Sequence, residues 1–182
     1  MIKLYGSSFS RAAIVKWYLE ELKVPYEFVM VEIKEGDHLK PEYVAIHPFS
    51  KVPSIDDNGF ILWESGAILT YLASKYDPNI NTPEKAATIN QWALFANSTL
   101  SDGIFAPQFQ AKETPHLLGK LNEILGKQPF LIGETFSAAD VAVGSILGYA
   151  PMMIKDFDLS PYPNLMNYMQ QLKERPGFMG GV

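Results

Sequence analysis

A proline placed inside an apparent β-strand constrains this chain more than any other feature. The stretch from His47 to Ile68, HPFSKVPSIDDNGFILWESGAI, reads as two short strands joined by a tight turn and running into a helix. Val52 to Ile55 alternate as a strand does. Asp57-Asn58-Gly59 is hairpin chemistry, because type I′ turns need positive φ and Asn-Gly supplies it at little cost. Phe60 to Trp63 form the return strand. Glu64 and Ser65 then open an apolar helical pattern, Ala67, Ile68, Leu69 and Leu72. Pro53 cannot donate to a ladder, so it implies an edge or a special backbone geometry, a cis bond included. A backbone held open there could pair with an extended, peptide-like ligand. Glu64-Ser65 falls where helix N–H groups are unpaired and the dipole is positive. Such a site accepts a ligand carboxylate, while Glu64 can hold an ammonium. An extended ligand with an α-amino acid end would suit both. The simpler alternative is that Pro53 only shapes a hairpin and Ser65 only caps a helix.

The rest of the chain supplies the frame. Met1 to Tyr5 read as a buried strand, Gly6 to Ser10 as a turn, and Arg11 to Leu22 as a helix with Ile14, Val15, Tyr18, Leu19 and Leu22 on one side. Val24-Pro25 ends that helix, and Tyr26 to Ile33 alternate as a second strand. Lys34 to His47 are polar and loop-like, with one helical turn expected near Pro41. Residues 1–76 therefore read as βαβ followed by ββα. Asp77 to Pro83, DPNINTP, is a linker without apolar periodicity. Residues 84–182 read as wholly helical. Thr82-Pro83-Glu84 is a start signal, and its helix carries Ile89, Trp92, Ala93 and Ala96 toward Pro107. Another helix is expected from about Pro115 to Leu125. Ser137 and Asp140 form a capping box, with Phe136 as its hydrophobic staple. A last helix is expected over about Asn164 to Glu174, stopped by Arg175-Pro176-Gly177.

Composition excludes several classes of function. The net charge of −5 gives no electrostatic support for nucleic-acid binding. The chain has no cysteine, which rules out disulfides, Cys-ligated zinc and a cysteine nucleophile. Three histidines without HxxxH-like spacing leave a metal site unsupported. No N-terminal apolar signal and no span-length apolar stretch are visible, so the expectation is a cytoplasmic protein that does not enter a membrane.

The hairpin stretch resembles the glutathione site of the glutathione transferases, which carries a VP pair and an E/Q-S-x-A-I segment. The segments YGSSFSRAAIVKWYLEELKVPYE, GDHLKPEYVAIHPFSKVP and GETFSAAD fit as well, so the resemblance covers the whole chain. It implies an α/β thioredoxin-like N-terminal domain followed by an all-α C-terminal helical domain. It also implies glutathione as co-substrate with no further cofactor, small hydrophobic electrophiles as partners, and a homodimer. The short second domain is similar in size to the chi-class bacterial transferases, which implies isothiocyanates as substrates in a detoxification role. Two alternatives stay open: a glutathione-dependent isomerase, because the SSxS run resembles the zeta branch, and a non-catalytic ligand-binding or scaffold module of the same fold.

The resemblance assigns roles by position. Val52, before Pro53, would pair through its backbone with the cysteinyl part of glutathione. Glu64 and Ser65 would hold the γ-glutamyl end, and His38 and Lys51 the glycine carboxylate. Attack needs a thiolate, and a free thiol titrates near 8.5. Lowering that by about two units means about 2.7 kcal/mol of anion stabilisation. A hydroxyl, a cation and a helix N-terminus between Tyr5 and Arg11 could share the task. Ser10, beside Arg11 at the helix start, is the leading hydroxyl, with Tyr5 next and Ser8 behind it. Arg11 stands where the dipole disfavours a cation, which argues for an anionic partner. His47, before Pro48, is expected to stabilise a turn. Phe9, Leu100 and Phe105 are candidates for an electrophile pocket.

Overall fold

The computed structural model describes residues 1–178. Strand β1 (Ile2–Gly6), helix α1 (Ala12–Leu22) and strand β2 (Tyr26–Met30) make a parallel βαβ unit. A short helix α2 (Pro41–Val44) leads to the hairpin β3 (Ser54–Asp57) and β4 (Phe60–Trp63), and then to α3 (Ser65–Tyr76). The sheet order is β2-β1-β3-β4, with β3 antiparallel to both neighbours. The hairpin turn is the one expected, with Asn58 at φ 54° and Gly59 at φ 94°. Helices follow: α4 (Pro83–Phe95), α5 (Ser101–Phe105), α6 (Pro107–Leu125), α7 (Ala138–Met153) and α8 (Pro163–Lys173). Among the described residues no helix is long and apolar enough to cross a membrane.

One apolar core runs through both parts of the chain. Its axis is α7, where every residue from Ala138 to Leu147 is buried. Helix α1 lies across it. A Cβ on Gly144 would come within 2.4 Å of Leu172 and 3.4 Å of Trp17, so only glycine lets the helices approach this closely. The start of α7 is held by the expected capping box. Asp140 accepts from the main-chain N–H groups of Leu131 and Ser137, both at 2.9 Å, from Ser137 Oγ at 3.1 Å and from Tyr168 Oη at 3.0 Å. Burial pushes its carboxyl up to about 6, and those four donors oppose the rise. Phe136 was expected as a local staple. It packs against Trp17 and Phe130, with the Arg175 guanidinium 3.6 Å over its ring.

Several boundaries differ from the sequence reading for identifiable reasons. β2 stops at Met30, where the last ladder bond runs from Val31 N–H to the Gly6 carbonyl at 2.7 Å and two 3-10 turns follow. The helix expected from Pro115 starts at Pro107, and Pro115 sits inside it. Either proline fits a first turn, and the earlier one takes it. The linker is packed rather than loose: Asp77 and Ile80 are buried, and Tyr18 Oη donates to Asp77 at 3.1 Å. The hairpin is tied to α3 through Asp57, whose Oδ2 accepts from Lys75, Tyr71 and Tyr76 at 2.6, 2.8 and 2.6 Å.

Two stability predictions follow from these networks. Asp140→Ala strands two main-chain N–H groups and the Tyr168 hydroxyl, at about 1–3 kcal/mol each, besides the Ser137 hydroxyl. A loss of about 3 kcal/mol or more is expected, lowering the melting temperature by about 6–12 °C in a calorimetric scan. At Asp57, burial acts upward, but Lys75, Tyr76 and Tyr71 outweigh it and hold the carboxyl at about 2. The folded carboxyl thus titrates below its unfolded value of 3.8, so its contribution is complete above that value and is lost as pH falls toward about 2. Denaturant melts of Asp57→Asn should show a flatter acid limb across that window and lower stability at neutral pH.

Candidate functional site

The proline loop, the mouth of α3 and the start of α1 converge on one cavity of about 180 Å³. Arg11, His47, Lys51, Val52, Pro53, Glu64 and Ser65 line it. Pro53 is not inside the strand, as the alternation suggested. With no N–H it cannot enter the ladder, which begins at Ser54. Val52, joined to it by a cis bond, is left outside the sheet and lines the cavity. Tyr43 of α2 braces this segment, donating to the Lys51 carbonyl at 2.6 Å and lying 3.2 Å from Ser54 Oγ.

Across the cavity, α3 begins without a side-chain cap. Ser65 is its first residue rather than its cap, and is buried. The first-turn N–H groups therefore keep their positive end toward the cavity. Glu64, the residue before the helix, is held at φ 70° and ψ 118°. Ser50 and Phe9, both at φ 55°, sit on the neighbouring loops. Non-glycine residues rarely adopt such angles, and they cluster where function demands a fixed geometry.

Two cations face this arrangement. Lys51 and Arg11 are exposed, and neither forms an ion pair among the described residues. His47 does not add a third. It is 2 % exposed, and burial lowers its pKa against the raising effect of Glu64. Its Nδ1 accepts from Phe49 N–H at 3.2 Å, as a turn-stabilising residue should, and its ring stacks on Trp63 at 5.1 Å. The cavity thus offers two cations, one carboxylate, an uncapped helix start and unladdered main chain. That set suits an extended peptide with carboxylates at its ends and an ammonium beside one of them.

The candidate hydroxyls fall differently from expectation. Ser10, the leading choice, closes its own turn. Its Oγ donates to the Ser7 carbonyl at 2.7 Å and accepts from the N–H groups of Ala12 and Ser7 at 3.2 and 3.3 Å. Its one proton is committed, so it acts as a cap. Tyr5, on β1, packs against Tyr43 and lines a separate cavity with Val29, Asp37 and Lys40, away from Val52 and Ser65. Ser8 is exposed in the turn. Ser7, half-buried just after β1, donates only to the adjacent Ser8 carbonyl at a long 3.3 Å, so its proton is more readily redirected than that of Ser10. His38 lies on the 3-10 turn Asp37–Leu39 with its Nδ1 buried and unpartnered among the described residues, and it does not line the cavity. Leu100 is fully buried core and cannot line a pocket.

Larger clefts, of about 390 and 430 Å³, lie around Asp77, Asn79 and Phe136. Several of their polar groups are already paired: Asp77 with Tyr18 and Asn79, Lys85 with Asn79 and Asn81, Arg175 with Glu21.

Comparison with known proteins places the chain. Residues 1–74 match the model of the glutathione S-transferase N-terminal domain, and residues 89–179 that of the C-terminal domain. A glutathione S-transferase of Hypomyces subiculosus is 31% identical, with 96% of this chain and 94% of the relative covered. A delta-class glutathione transferase of Nilaparvata lugens superposes with a TM-score of 0.84 at 31% identity, covering 98% and 91% of the two chains. A theta-class glutathione S-transferase of Xanthomonas axonopodis pv. citri, solved with glutathione bound, does so with a TM-score of 0.80 at 28% identity, covering 100% and 96%.

The His47 environment is directly testable. Its NMR titration midpoint should lie below the ordinary 6.5, and Glu64→Gln should lower it further. Because the unfolded chain takes up the proton that the fold resists, stability should begin to fall as pH drops past about 6.5.

Proposed function

This chain belongs to the glutathione S-transferase family, and we propose that its Pro53 cavity binds glutathione and delivers the thiolate to small hydrophobic electrophiles, isothiocyanates among them. One observation carries the reading: unladdered Val52 main chain, an uncapped helix start with Glu64, and two cations share one cavity. The γ-glutamyl carboxylate would meet the first turn of α3 at Ser65, and its ammonium Glu64. The cysteinyl unit would pair with Val52, and the glycine carboxylate with Lys51. His38 stands outside this assignment.

The thiol would then face the start of α1. A hydroxyl hydrogen bond to an anion is worth about 1.5–3 kcal/mol, and a nearby cation or helix start about 0.3–1 kcal/mol more. Together these match the stabilisation a thiolate needs near neutral pH. Ser7 is the proposed donor in place of Ser10, because its proton is free to turn, and Arg11 supplies the field. With an isothiocyanate, the sulfur adds to the central carbon, the C=N electron pair moves to nitrogen, and nitrogen takes a proton from water. Holding both reactants together supplies much of the rate. Tyr149 of α7 lies within electrostatic reach of Arg11 and is a candidate wall for the electrophile.

Exposed apolar residues also support a homodimer. Phe60 and Ile61 lie on the edge strand β4, and Leu94 on α4. Light scattering should give a two-chain mass, and Ile61→Glu should lower it.

Calorimetry with glutathione tests the site. Uptake by the wild type is expected, weakened about tenfold or more in Ser65→Ala and Lys51→Ala, the equivalent of about 1.4 kcal/mol. No uptake by the folded wild type would overturn the reading. An activity screen with isothiocyanates and maleylacetoacetate separates transferase from isomerase. Ser7→Ala should lower kcat about 10- to 100-fold. Ser10→Ala should chiefly cost stability, about 1 kcal/mol as for a lost cap.

A further inference from the structure

The helical rod of residues 83–105 is not regular. Helix α4 gives way at Ala96–Leu100 to a wider π turn before α5 resumes. Such a turn re-aims the side chains it carries, and π turns recur at functional sites. Here it carries Asn97. The Asn97 Oδ1 accepts from Arg11 Nη1 at 3.5 Å, across 86 residues of chain. The bond is long, so it supplies direction more than strength. The other end of the same amide lies against Gly66. A Cβ on Gly66 would come within 2.6 Å of Asn97 Nδ2. Gly66 follows Ser65 in the first turn of α3. One side chain from the helical half thus meets both the cavity's cation and the mouth of the helix beside it.

Arg11 needs such a contact. It is exposed and forms no ion pair among the described residues. A guanidinium on a flexible stem spreads its field over many orientations unless an acceptor fixes one. A carboxylate would fix it and cancel its charge. A neutral amide oxygen fixes it and leaves the charge intact. Tyr149 flanks the same guanidinium from α7: burial pushes the tyrosine hydroxyl up, and Arg11's charge works against that rise.

We propose that Asn97 is a positioning residue for glutathione activation: seated in the space left by Gly66, it orients Arg11 toward the thiolate without neutralising it. This rests on the role given to Arg11 above. Asn97 itself does not touch the reacting atoms. The missing Cβ of Gly66 is part of the device, because alanine there would displace the amide.

The test compares Arg11→Ala, Asn97→Ala, Asn97→Asp, Gly66→Ala and the Gly66→Ala/Asn97→Ala double variant. The readouts are kcat, KM for glutathione, and the pH midpoint of the ultraviolet absorbance of the bound thiolate. Arg11→Ala should raise the midpoint. Asn97→Ala should raise it less and lower kcat about fivefold, with a smaller change in KM. Asn97→Asp should keep the bond but place a negative charge on the cation, so its midpoint should also rise. Gly66→Ala retains Asn97 yet should reproduce Asn97→Ala, and the double variant should add nothing further. Alanine favours a helix over glycine, so Gly66→Ala should not lose activity through unfolding. Wild-type midpoints in Asn97→Ala and Gly66→Ala, beside a raised midpoint in Arg11→Ala, would overturn the positioning role and leave the proposed function standing. A wild-type midpoint in Arg11→Ala as well would overturn the role of Arg11 itself.

Discussion

Proline has no N–H to give a sheet, and at Pro53 that absence leaves Val52 outside the ladder. Everything at the cavity is arranged around this gap. Tyr43 holds the Lys51 carbonyl from below, His47 and Trp63 stack beside the loop, and the hairpin returns the chain to the mouth of α3. A continuous strand there would satisfy its own hydrogen bonds and have none left for a ligand. The helix start opposite is likewise left uncapped. Two unmet backbone demands therefore face each other across one small space, and a peptide that meets both is held in one direction.

The rigidity that makes such a site possible lies elsewhere. Positive φ values at Glu64, Ser50 and Phe9 are unfavourable locally and persist only where the surroundings determine them. The frame that carries these loops is built on the buried α7, its Asp140 network, and α1 laid across it through Gly144. Helix α1 carries Arg11 at one end and is buried between α3, α7 and β1. The geometry of the glutathione half is thus anchored in the helical half. The packed linker, with Asp77 bonded to Tyr18, makes the joint stiff.

Local signals were legible in the sequence and remote ones were not. The Asn58-Gly59 turn, the Thr82 cap, the Ser137–Asp140 box and the convergence of Val52, Pro53, Glu64 and Ser65 all rest on residues near one another in the chain. The hydroxyl favoured by the structure differs for a physical reason. Sequence shows that Ser7, Ser8 and Ser10 are close, but not that Ser10 spends its proton on the Ser7 carbonyl. Strand alternation decides the face of Tyr5, and that face meets Tyr43 rather than the cavity. Asn97 and Tyr149 left no signal at all. Their relevance depends on where a distant helix lies against α1, and the π turn that aims Asn97 has no motif of its own.

The charge balance of the cavity argues for a neutral residue at position 97. Glutathione with its thiolate brings three negative groups and one ammonium. In the proposed binding mode Glu64 would answer the ammonium, and Lys51 one carboxylate. The first turn of α3 answers the other through N–H groups that carry no net charge. In that mode Arg11 alone would be left for the sulfur. An acidic residue beside it would form a more direct pair, yet the same pairing would remove the field that makes the thiol a thiolate. An apolar residue would keep the field but let it wander. An amide, seated where Gly66 lacks a side chain, satisfies both conditions, because it accepts a hydrogen bond without adding charge.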